Sequence, residues 1–457
     1  MPTVLSVNNS PLARSLVVNW NSQELNQLAL ALARRGDLAG LVRPYVNQGR
    51  AWERALARLP LAGRWVAGSF GRRQLIDLAL HGRVIEAGVA PDLLAALVTR
   101  LGWLGAHHRH SVTNALFQQV RNAVATQAGR HATQASHVVA YEGFALEAFQ
   151  ALRATGAGRT VLSYPVAHHR HRRQRRLQEL VRQPEFATTW PDFDDWPAGH
   201  EQRLDDEIEL ADCVLLGSGY ARDSFLQQGV PAGKLCVVPY GVDLDVFHPT
   251  RRPSKSAPET PTAAAATAVF AAHIAPPAPA AFEAVFAGQL TQRKGLSYLL
   301  RGWQQFARPG ARLTLIGAVV GDSRPLARHA AGCVHLPHQT RSELAQRFRD
   351  AHVLVFPTLV EGMPLVVLEA MACGLPVIAT ANGPGEIVRD GVDGFLIPEC
   401  DAQAVCDRLD RLHRDRDLCA WMGRNAAARA REFSWDAYTA RAMQAMAPRA
   451  APSLHVA

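Results

Sequence analysis

Short apolar stretches alternate with helical patterns along most of the chain, and this alternation restricts the possible folds more than any other feature. Near the N-terminus, SLVVNW is typical of a strand, and ELNQLALALARRG of a helix with its leucines on one face and Gly36 placed to end it. The same order returns at HVVAYEG with FALEAFQALRATG and at DCVLLGS with ARDSFLQQG. Strands that alternate with helices predict a parallel sheet covered on both faces. Residues 50–130 are mostly helical by composition, and we place no strand there.

A segment of different composition divides the chain. Residues 248–282 are rich in Pro, Ala, Ser and Thr and have no periodic apolar face, which is typical of a linker or a disordered insertion. The strand–helix order resumes after this segment. We therefore predict an α/β protein with two doubly wound domains, at 1–246 and 283–431, joined by a linker at 247–282. Because such sheets bind ligands beyond the carboxyl ends of their strands, we expect the ligand between the two domains.

The composition excludes several classes of protein. Hydrophobic residues make up 48% of the chain and charged residues 19%, as in globular proteins. The longest apolar run, Val366 to Ala379, contains Glu369, Gly374 and Pro376 and is too interrupted to span a membrane. The first residues lack the pattern of a secretory signal, and the seven cysteines form no Cys-x-x-Cys pair. We expect a cytoplasmic protein without a disulfide or zinc framework.

The chain is basic, with 49 Lys and Arg against 40 Asp and Glu. Such a surplus suits nucleic acid, anionic lipid or phosphorylated ligands, but no helix-turn-helix pattern or aromatic-interleaved basic strand indicates a nucleic-acid partner. The densest basic block, HHRHRRQRR at 168–176, precedes Leu177, Leu180 and Val181 at helical spacing. This combination predicts either peripheral contact with an anionic membrane, or a helix whose apolar side packs in the first domain with Arg175 paired to Glu179.

The stretch from Pro357 to Pro398 is the most informative about function. Pro364 stands where a helix would begin and Gly374 where its C-cap would lie, so we predict a helix from Pro364 to Cys373. Glu361 precedes this helix and Glu369 lies within it. Backbone amides at a helix N-terminus bind phosphate, and here they belong to Gly362, Met363 and Leu365.

A second stretch, FAGQLTQRKGLSYLL, places two adjacent cations in a loop between a strand and a helix. Arg293 and Lys294 can neutralise a diphosphate, and the planar guanidinium of Arg293 matches its oxygens. The two stretches together predict a site for a phosphorylated ligand.

In their order and spacing, these motifs resemble the family 4 glycosyltransferases, which are retaining enzymes with nucleotide-sugar donors and the GT-B fold. The resemblance covers most of the second domain and the end of the first, through the Glu-x7-Glu pattern, the RKG loop, VVPYGVDLDVF, GEIVRDGVDGFLIP and FSWDAY. It implies two Rossmann-like lobes that face a cleft, with a final helix in 432–457 that returns to the first lobe.

The resemblance also implies a role for each site residue. Glu361 would hold hydroxyls of the donor sugar, Glu369 the ribose, and Arg293 with Lys294 the diphosphate. The family places a histidine after a first-lobe strand, near the sugar. The sequence SYPVAHHRH offers His168, His169 and His171 for this position, and we assign His168.

The chain departs from the family pattern at two points and contains one rival motif. Gln289 stands where the family often has Arg, and the glycine-rich loop after the first strand is absent. Asp192-Phe193-Asp194 has the spacing of a metal-binding triplet, but it lies in an acidic loop rich in Pro and Trp, outside the matched motifs. We predict no metal. Arg203, Glu207 and Asp212 are typical of a surface helix with i,i+4 ion pairs.

We therefore predict transfer of a sugar from a UDP- or GDP-sugar to a hydroxyl of a saccharide or lipid-linked acceptor, in polysaccharide or glycolipid synthesis. No cofactor and no protein nucleophile are needed if the leaving diphosphate takes the acceptor's proton. Two alternatives stay open: an epimerase or hydrolase that acts on nucleotide sugars, and a scaffold that binds them without turnover.

Overall fold

The computed structural model describes residues 14–58, 77–98, 106–190, 198–249 and 282–447. In these parts the strands are β1 (Ser15–Val18), β2 (Leu38–Arg43), β3 (Val84–Glu86), β4 (His137–Tyr141), β5 (Arg159–Tyr164), β6 (Cys213–Leu216), β7 (Leu235–Val237), β8 (Phe282–Ala287), β9 (Ala311–Ile316), β10 (Val334–Leu336), β11 (Val353–Phe356), β12 (Val377–Thr380) and β13 (Gly394–Ile397). The Asp192–Asp194 triplet and most of the predicted linker lie outside the described residues.

The helices of the described residues are α1 (Gln23–Arg35), α2 (Ala51–Ala57), α3 (Val89–Val98), α4 (Ala106–Ala132), α5 (Leu146–Ala154), α6 (His169–Arg182), α7 (Pro184–Ala187), α8 (His200–Leu210), α9 (Gly219–Leu226), α10 (Leu296–Phe306), α11 (Arg324–His329), α12 (Arg341–Asp350), α13 (Leu365–Ala372), α14 (Ala402–Arg414), α15 (Arg416–Ala430) and α16 (Trp435–Met446). Short 3₁₀ turns occur at Leu78–Leu80, Ala232–Lys234, Gln292–Lys294 and Pro384–Glu386.

The chain divides into two compact units. Unit 1 comprises Met1–Arg173, Asp192–Gly241 and Trp435–Ala457, and unit 2 comprises Gln174–Pro191 and Val242–Ser434. Segment Gln174–Pro191 was predicted in the first domain, but it belongs to unit 2. The physical reason is that its buried Glu179 and Thr189 form hydrogen bonds with Gln292 of that unit.

Unit 1 contains a seven-stranded parallel sheet in the order β3-β2-β1-β4-β5-β6-β7. Its inner strands are almost entirely buried, because helices cover both faces of a parallel sheet. Strand β3 lies in the region where we predicted no strand. It has no strong apolar pattern, because its three residues are only partly buried at the edge of the sheet. Helix α16 packs against α1 and β6 of this unit, which is where the resemblance places the final helix.

Unit 2 contains a six-stranded parallel sheet in the order β10-β9-β8-β11-β12-β13. Strands β8 and β11 are neighbours near its centre, and every residue of both is buried. The loops after these two strands carry Arg293, Lys294 and Glu361. Because parallel strands end at the same edge of a sheet, the topology itself places these loops side by side.

Both units therefore have the predicted doubly wound α/β architecture. Among the helices of the described residues, we find none with the length and apolar character needed to cross a bilayer.

Candidate functional site

The loop after β8 is fixed by local hydrogen bonding and by one glycine. Thr291 accepts a hydrogen bond from the amide of Arg293 at 3.4 Å, and the chain then forms the 3₁₀ turn Gln292–Lys294. Gly295 has a φ of 74°, and a Cβ at this position would lie 1.9 Å from the carbonyl oxygen of Pro357. Only glycine allows this close approach, which holds the cationic loop against the end of β11.

Helix α13 begins and ends as the sequence predicts, within one residue. Pro364 is the N-cap, Leu365 is the first helical residue, and Gly374 follows the C-cap with a φ of 84°. No side chain caps the N-terminus of this helix. Gly362 and Met363 are buried in the preceding loop. Their assignment to the diphosphate, together with Leu365, stays a prediction.

Glu361 is the centre of an ion-pair cluster. Its Oε1 lies 2.7 Å from a guanidinium nitrogen of Arg293, and the Nζ of Lys294 is paired with the same oxygen. The Glu361 and Lys294 residues are only 6% and 9% exposed. Three of the predicted site residues therefore meet in the structure, although they come from two separate loops.

The cluster shifts the ionisation of both buried partners. Burial raises the pKa of Glu361, but the charges of Arg293 and Lys294 outweigh this effect and hold the pKa below its ordinary value. Burial lowers the pKa of Lys294 to about 8, even though Glu361 opposes the change. The Nζ of Lys294 also lies 5.0 Å from the ring centroid of Phe356. At neutral pH the cluster thus contains two cations and one carboxylate.

The loop after β12 supports Glu361 from the other side. Gly383 has a φ of 117°, and a Cβ there would lie 2.6 Å from the Cβ of Glu361. Asn382 donates a hydrogen bond from Nδ2 to the carbonyl of Leu359 at 3.0 Å. These contacts fix the backbone on which Glu361 stands.

Glu369 is partly buried on helix α13. Burial raises its pKa to about 7, with Arg341 opposing the change and Asp243 adding to it. Arg341 itself pairs with Asp243 at 3.1 Å. Within the described part of the chain, the Glu369 carboxylate has no hydrogen bond or ion pair. Such a carboxylate can accept hydrogen bonds from hydroxyl groups, which agrees with the ribose role predicted for it.

His168 lies in unit 1, at the start of α6. The residue is buried, its amide donates to Ser224 Oγ at 2.9 Å, and its Nδ1 accepts from the amide of Arg170 at 3.2 Å. Burial, and then the charge of Arg170, lowers its pKa to about 3, so the ring is neutral at physiological pH. Its ring stacks on that of His169, with centroids 4.2 Å apart. The sugar-side role of His168 stays a prediction.

Three side chains of unit 1, His168, His169 and Asp205, bring potential metal ligands within 4.8 Å of one another. Arg170 already pairs with Asp205 at 2.5 Å and donates its amide to His168. A cation here would displace those contacts and face the positive charge of Arg170. These observations give no support to a metal centre at this cluster.

The structure contradicts one of the two predictions made for the basic block after His168. Leu177 and Val181 are 51% and 84% exposed, and Arg175 pairs with Glu399 at 2.5 Å instead of with Glu179. The apolar side of this helix is therefore not packed in the first domain. The buried face of α6 is polar instead: it contains Arg172, Arg176 and Glu179, and the buried Gln183 follows directly after the helix.

Sequence reasoning underestimated Glu207. The predicted Arg203–Glu207 pair forms at 3.3 Å, but Glu207 lies on the inner face of this amphipathic helix and is completely buried. Its carboxylate accepts hydrogen bonds from the amides of Gly143 at 2.7 Å and Ala145 at 3.0 Å, after β4. Burial raises its pKa to about 7, although Arg203 opposes the change. The sequence did contain a sign of this burial, since Glu207 lies on the same helical face as Leu204 and Ile208.

Comparison with known proteins places this site in a family. Residues 281–415 match the family model of the glycosyl transferases group 1. The matched segment contains Arg293, Lys294 and Glu361. The resemblance predicted from the motifs is thereby confirmed.

Curated relatives of the chain carry the same assignment. A D-inositol 3-phosphate glycosyltransferase of Paenarthrobacter aurescens is 32% identical over 220 residues, which are 45% of this chain and 50% of that protein. A protein of the same name from Mycobacterium tuberculosis is 32% identical over 253 residues, 52% of this chain and 48% of that one. The chain thus spans about half the length of the curated relatives it matches.

Solved structures extend the likeness to nearly the whole chain. Sucrose-phosphate synthase from Thermosynechococcus elongatus has a TM-score of 0.58 at 18% identity, and Anabaena HepE, solved with UDP and glucose, has 0.57 at 15%. Both alignments cover 94% of this chain and 98% of the other. At these identities the likeness establishes the fold, and the predicted GT-B class of two Rossmann-like domains is confirmed.

Proposed function

We propose that this protein is a retaining glycosyltransferase that moves a sugar from a nucleotide diphosphate sugar to an acceptor hydroxyl. The observation that carries the proposal is the cluster of Glu361, Arg293 and Lys294 at the carboxyl ends of β8 and β11, just before the N-terminus of α13. A sugar diphosphate needs positive charge at the phosphates and acceptors for its hydroxyls, and this cluster supplies both.

The chemistry requires stabilisation of the leaving group. When the bond between the anomeric carbon and the diphosphate oxygen breaks, negative charge develops on the diphosphate. Arg293, Lys294 and the helix N-terminus stabilise this charge. The acceptor oxygen bonds to the anomeric carbon on the same face, and its proton passes to the departing diphosphate. No protein nucleophile takes part in this step.

Each remaining site residue has a positioning role in the proposal. Glu361 orients the donor sugar through its hydroxyls, Glu369 holds the ribose, and His168 contacts a hydroxyl near the reacting centre. Arg293 and Lys294 pair with Glu361 before the donor arrives. Donor binding would therefore share these cations between the carboxylate and the diphosphate.

The proposed donor is a UDP- or GDP-sugar, and the proposed acceptor is a saccharide or a lipid-linked sugar. The donor class is supported by HepE, a protein of the same fold that was solved with UDP and with UDP-glucose. We place the activity in polysaccharide or glycolipid synthesis at the cytoplasmic face of the inner membrane. The exposed Leu177 and Val181, with Arg173 and Arg182 beside them, support peripheral contact with an anionic leaflet.

A thermal-shift screen followed by a product assay tests the proposal. UDP, GDP, ADP and their sugars are added to the purified chain, since a ligand at about a hundred times its dissociation constant stabilises a protein by about 2.7 kcal/mol. The stabilising donor is then incubated with candidate acceptors, and the anomeric configuration of the product is read by proton NMR. Retention supports the proposal, whereas acceptor-independent hydrolysis or epimerisation would favour the first alternative, and binding without any product the second.

Site variants complete this experiment. Lys294→Ala and Glu361→Ala should each reduce transfer by at least a hundredfold in protein that circular dichroism shows to be folded. Arg308→Ala is the control, because Arg308 is a cation of unit 2 that follows the C-terminal end of α10, away from the cationic loop, and pairs with Asp410 at 2.6 Å. Transfer at the wild-type rate in Glu361→Ala would remove the basis of the proposal.

A further inference from the structure

The loop that carries Arg293 and Lys294 is held by a segment far away in the sequence. Segment Gln174–Pro191, named the support segment here, contains the second half of α6 together with α7 and belongs to unit 2. Apart from the membrane contact proposed for Leu177, Val181 and Arg182, its residues have no assigned role so far. Four of its polar residues are buried, which is unusual for charged and amide side chains: Arg176, Glu179, Gln183 and Thr189. Two of them, Glu179 and Thr189, contact the loop.

Glu179 makes the central contact between the support segment and the loop. It is 2% exposed, and its Oε2 accepts a hydrogen bond from Gln292 Nε2 at 2.9 Å. The hydroxyl of Tyr298 donates to the same oxygen at 3.0 Å. Gln292 is completely buried, and its Oε1 accepts from the amide of Ser297 at 3.0 Å. Every hydrogen-bonding atom of the Gln292 side chain is thus engaged.

A second contact holds the backbone of the same residue. The amide of Gln292 donates to Thr189 Oγ1 at 2.9 Å, and Thr189 also belongs to the support segment. On the opposite side, the amide of Leu359 donates to the carbonyl of Arg293 at 3.0 Å. The 3₁₀ turn is therefore fixed between the support segment and the loop after β11. Arg293 and Lys294 follow Gln292 directly, so their position depends on these bonds.

The support segment also reaches the loop of Glu361. Arg175 pairs with Glu399 at 2.5 Å, and Asn382 donates to the same carboxylate at 2.6 Å. Asn382 then bonds to the carbonyl of Leu359, two residues before Glu361. One segment therefore connects to both loops of the cluster.

We infer that Glu179 is a positioning residue that, through Gln292, holds Arg293 and Lys294 where they can bind a diphosphate. The ligand named here rests on the proposed function, whereas the position of the loop does not. Electrostatic stabilisation depends on groups fixed before the ligand arrives, and errors of about 1 Å lower the rate by about a hundredfold. Without Glu179, the buried Nε2 of Gln292 loses one of its two acceptors and keeps only Ser297 Oγ, at 2.8 Å, so the turn can relax to find another.

Hydrogen exchange in the full chain tests the inference without any ligand. Glu179→Gln keeps the size of the side chain but replaces one acceptor oxygen with an NH₂ group. Both oxygens of Glu179 accept from donors, so the new NH₂ group faces a donor in either orientation of the amide. We expect backbone amides of 288–300 to exchange at least tenfold faster in this variant. Glu185→Gln is the matched control, because Glu185 lies in the same segment and pairs with Arg328 and His329, not with the loop. Unchanged exchange over 288–300 in Glu179→Gln would overturn the inference.

Binding measurements test the consequence for the ligand. Calorimetric titration with UDP and with inorganic pyrophosphate should give affinities about tenfold weaker in Glu179→Gln, and unchanged in Glu185→Gln. The double variant Glu179→Gln/Gln292→Glu reverses donor and acceptor and should restore both the slow exchange and the affinities. Faster exchange with wild-type affinities, or no rescue by the double variant, would count against positioning.

Two further outcomes remain decisive. If Glu179→Gln does not fold, Thr189→Val replaces it. This change removes the acceptor of the Gln292 backbone amide, together with the hydrogen bond from Thr189 Oγ1 to the carbonyl of Phe186, and should produce the same two effects. If neither UDP nor pyrophosphate binds the wild-type chain, the proposed function fails, and the exchange experiment alone decides whether Glu179 positions the loop.

Discussion

The replacement Glu361→Gln separates the two roles proposed for the cluster, which are binding of the diphosphate by the cations and binding of the donor sugar by Glu361. It removes the negative charge while keeping the shape of the side chain, so Arg293 and Lys294 lose their shared counter-charge. Breaking a buried ion pair by changing one partner costs about 3–5 kcal/mol. Arg293 is partly exposed, and Lys294 already has a pKa of about 8 and can release its proton. Both facts favour the lower end of the range, about 3 kcal/mol.

Thermal denaturation at pH 7 measures this loss. For a folding unit of 150–250 residues, about 3 kcal/mol corresponds to a decrease in Tm of roughly 6–12 °C. The sign of the pH dependence follows from the pKa of Glu361, which lies below its ordinary value in the folded state. Its stabilising effect is present above the ordinary pKa and is lost as the pH falls through the folded value. The difference in Tm between wild type and variant should therefore shrink on acidification below about pH 4.5.

The response to ligand is the stronger test of the reasoning. In the variant the two cations have no carboxylate to pair with, so pyrophosphate or UDP should raise Tm more than it does in the wild type. Transfer should nevertheless be lost, because the sugar hydroxyls lose their acceptor. Glu283→Gln is the control, since Glu283 is a buried partner of Arg312 elsewhere in unit 2. It should lower Tm without changing the increment from ligand. An equal or smaller increment in Glu361→Gln would refute the assignment of these cations to the diphosphate.

Three further predictions concern the ribose, metal independence and the membrane. Burial raises the pKa of Glu369 to about 7, so its ionisation destabilises the fold as the pH rises through that value. In a thermal-shift series from pH 4.5 to 8, the Tm of Glu369→Gln should therefore rise relative to the Tm of the wild type. The affinity of this variant should fall more for UDP than for pyrophosphate, which has no ribose. Because Arg293 and Lys294 supply the positive charge, a product assay in EDTA should show undiminished transfer, and a loss reversed by Mg²⁺ or Mn²⁺ would contradict this. Because each basic residue near an anionic surface contributes about 1 kcal/mol, the chain should sediment with anionic but not neutral liposomes at low salt, and Val181→Asp should weaken this; equal recovery with both liposomes would count against docking.

The fold could be predicted because its evidence is local and repeated. Strand β11 consists of four consecutive apolar residues that are completely buried, and the helices between strands have regular apolar faces. The core of the site was predictable for a similar reason. Glu361, Arg293 and Lys294 each lie a few residues after a strand, and neighbouring parallel strands bring such loops together without further information. Strand β3 was missed because a short edge strand is only partly buried and has little of this pattern.

The buried contacts of the support segment could not be predicted from the sequence. Hydrophobic periodicity detects a buried helix face only when that face is apolar, and one of the two predictions drawn from it placed Leu177, Leu180 and Val181 in the interior of the first domain. In the structure Leu177 and Val181 are exposed, and Glu179 is buried instead. A buried carboxylate is stable only when its partners are in place, and those partners are contributed by other parts of unit 2. Gln292 is 113 residues from Glu179, and Glu399 is 224 residues from Arg175. A single sequence contains no sign of such pairing, so the residues that position a site are harder to predict than the residues that form it.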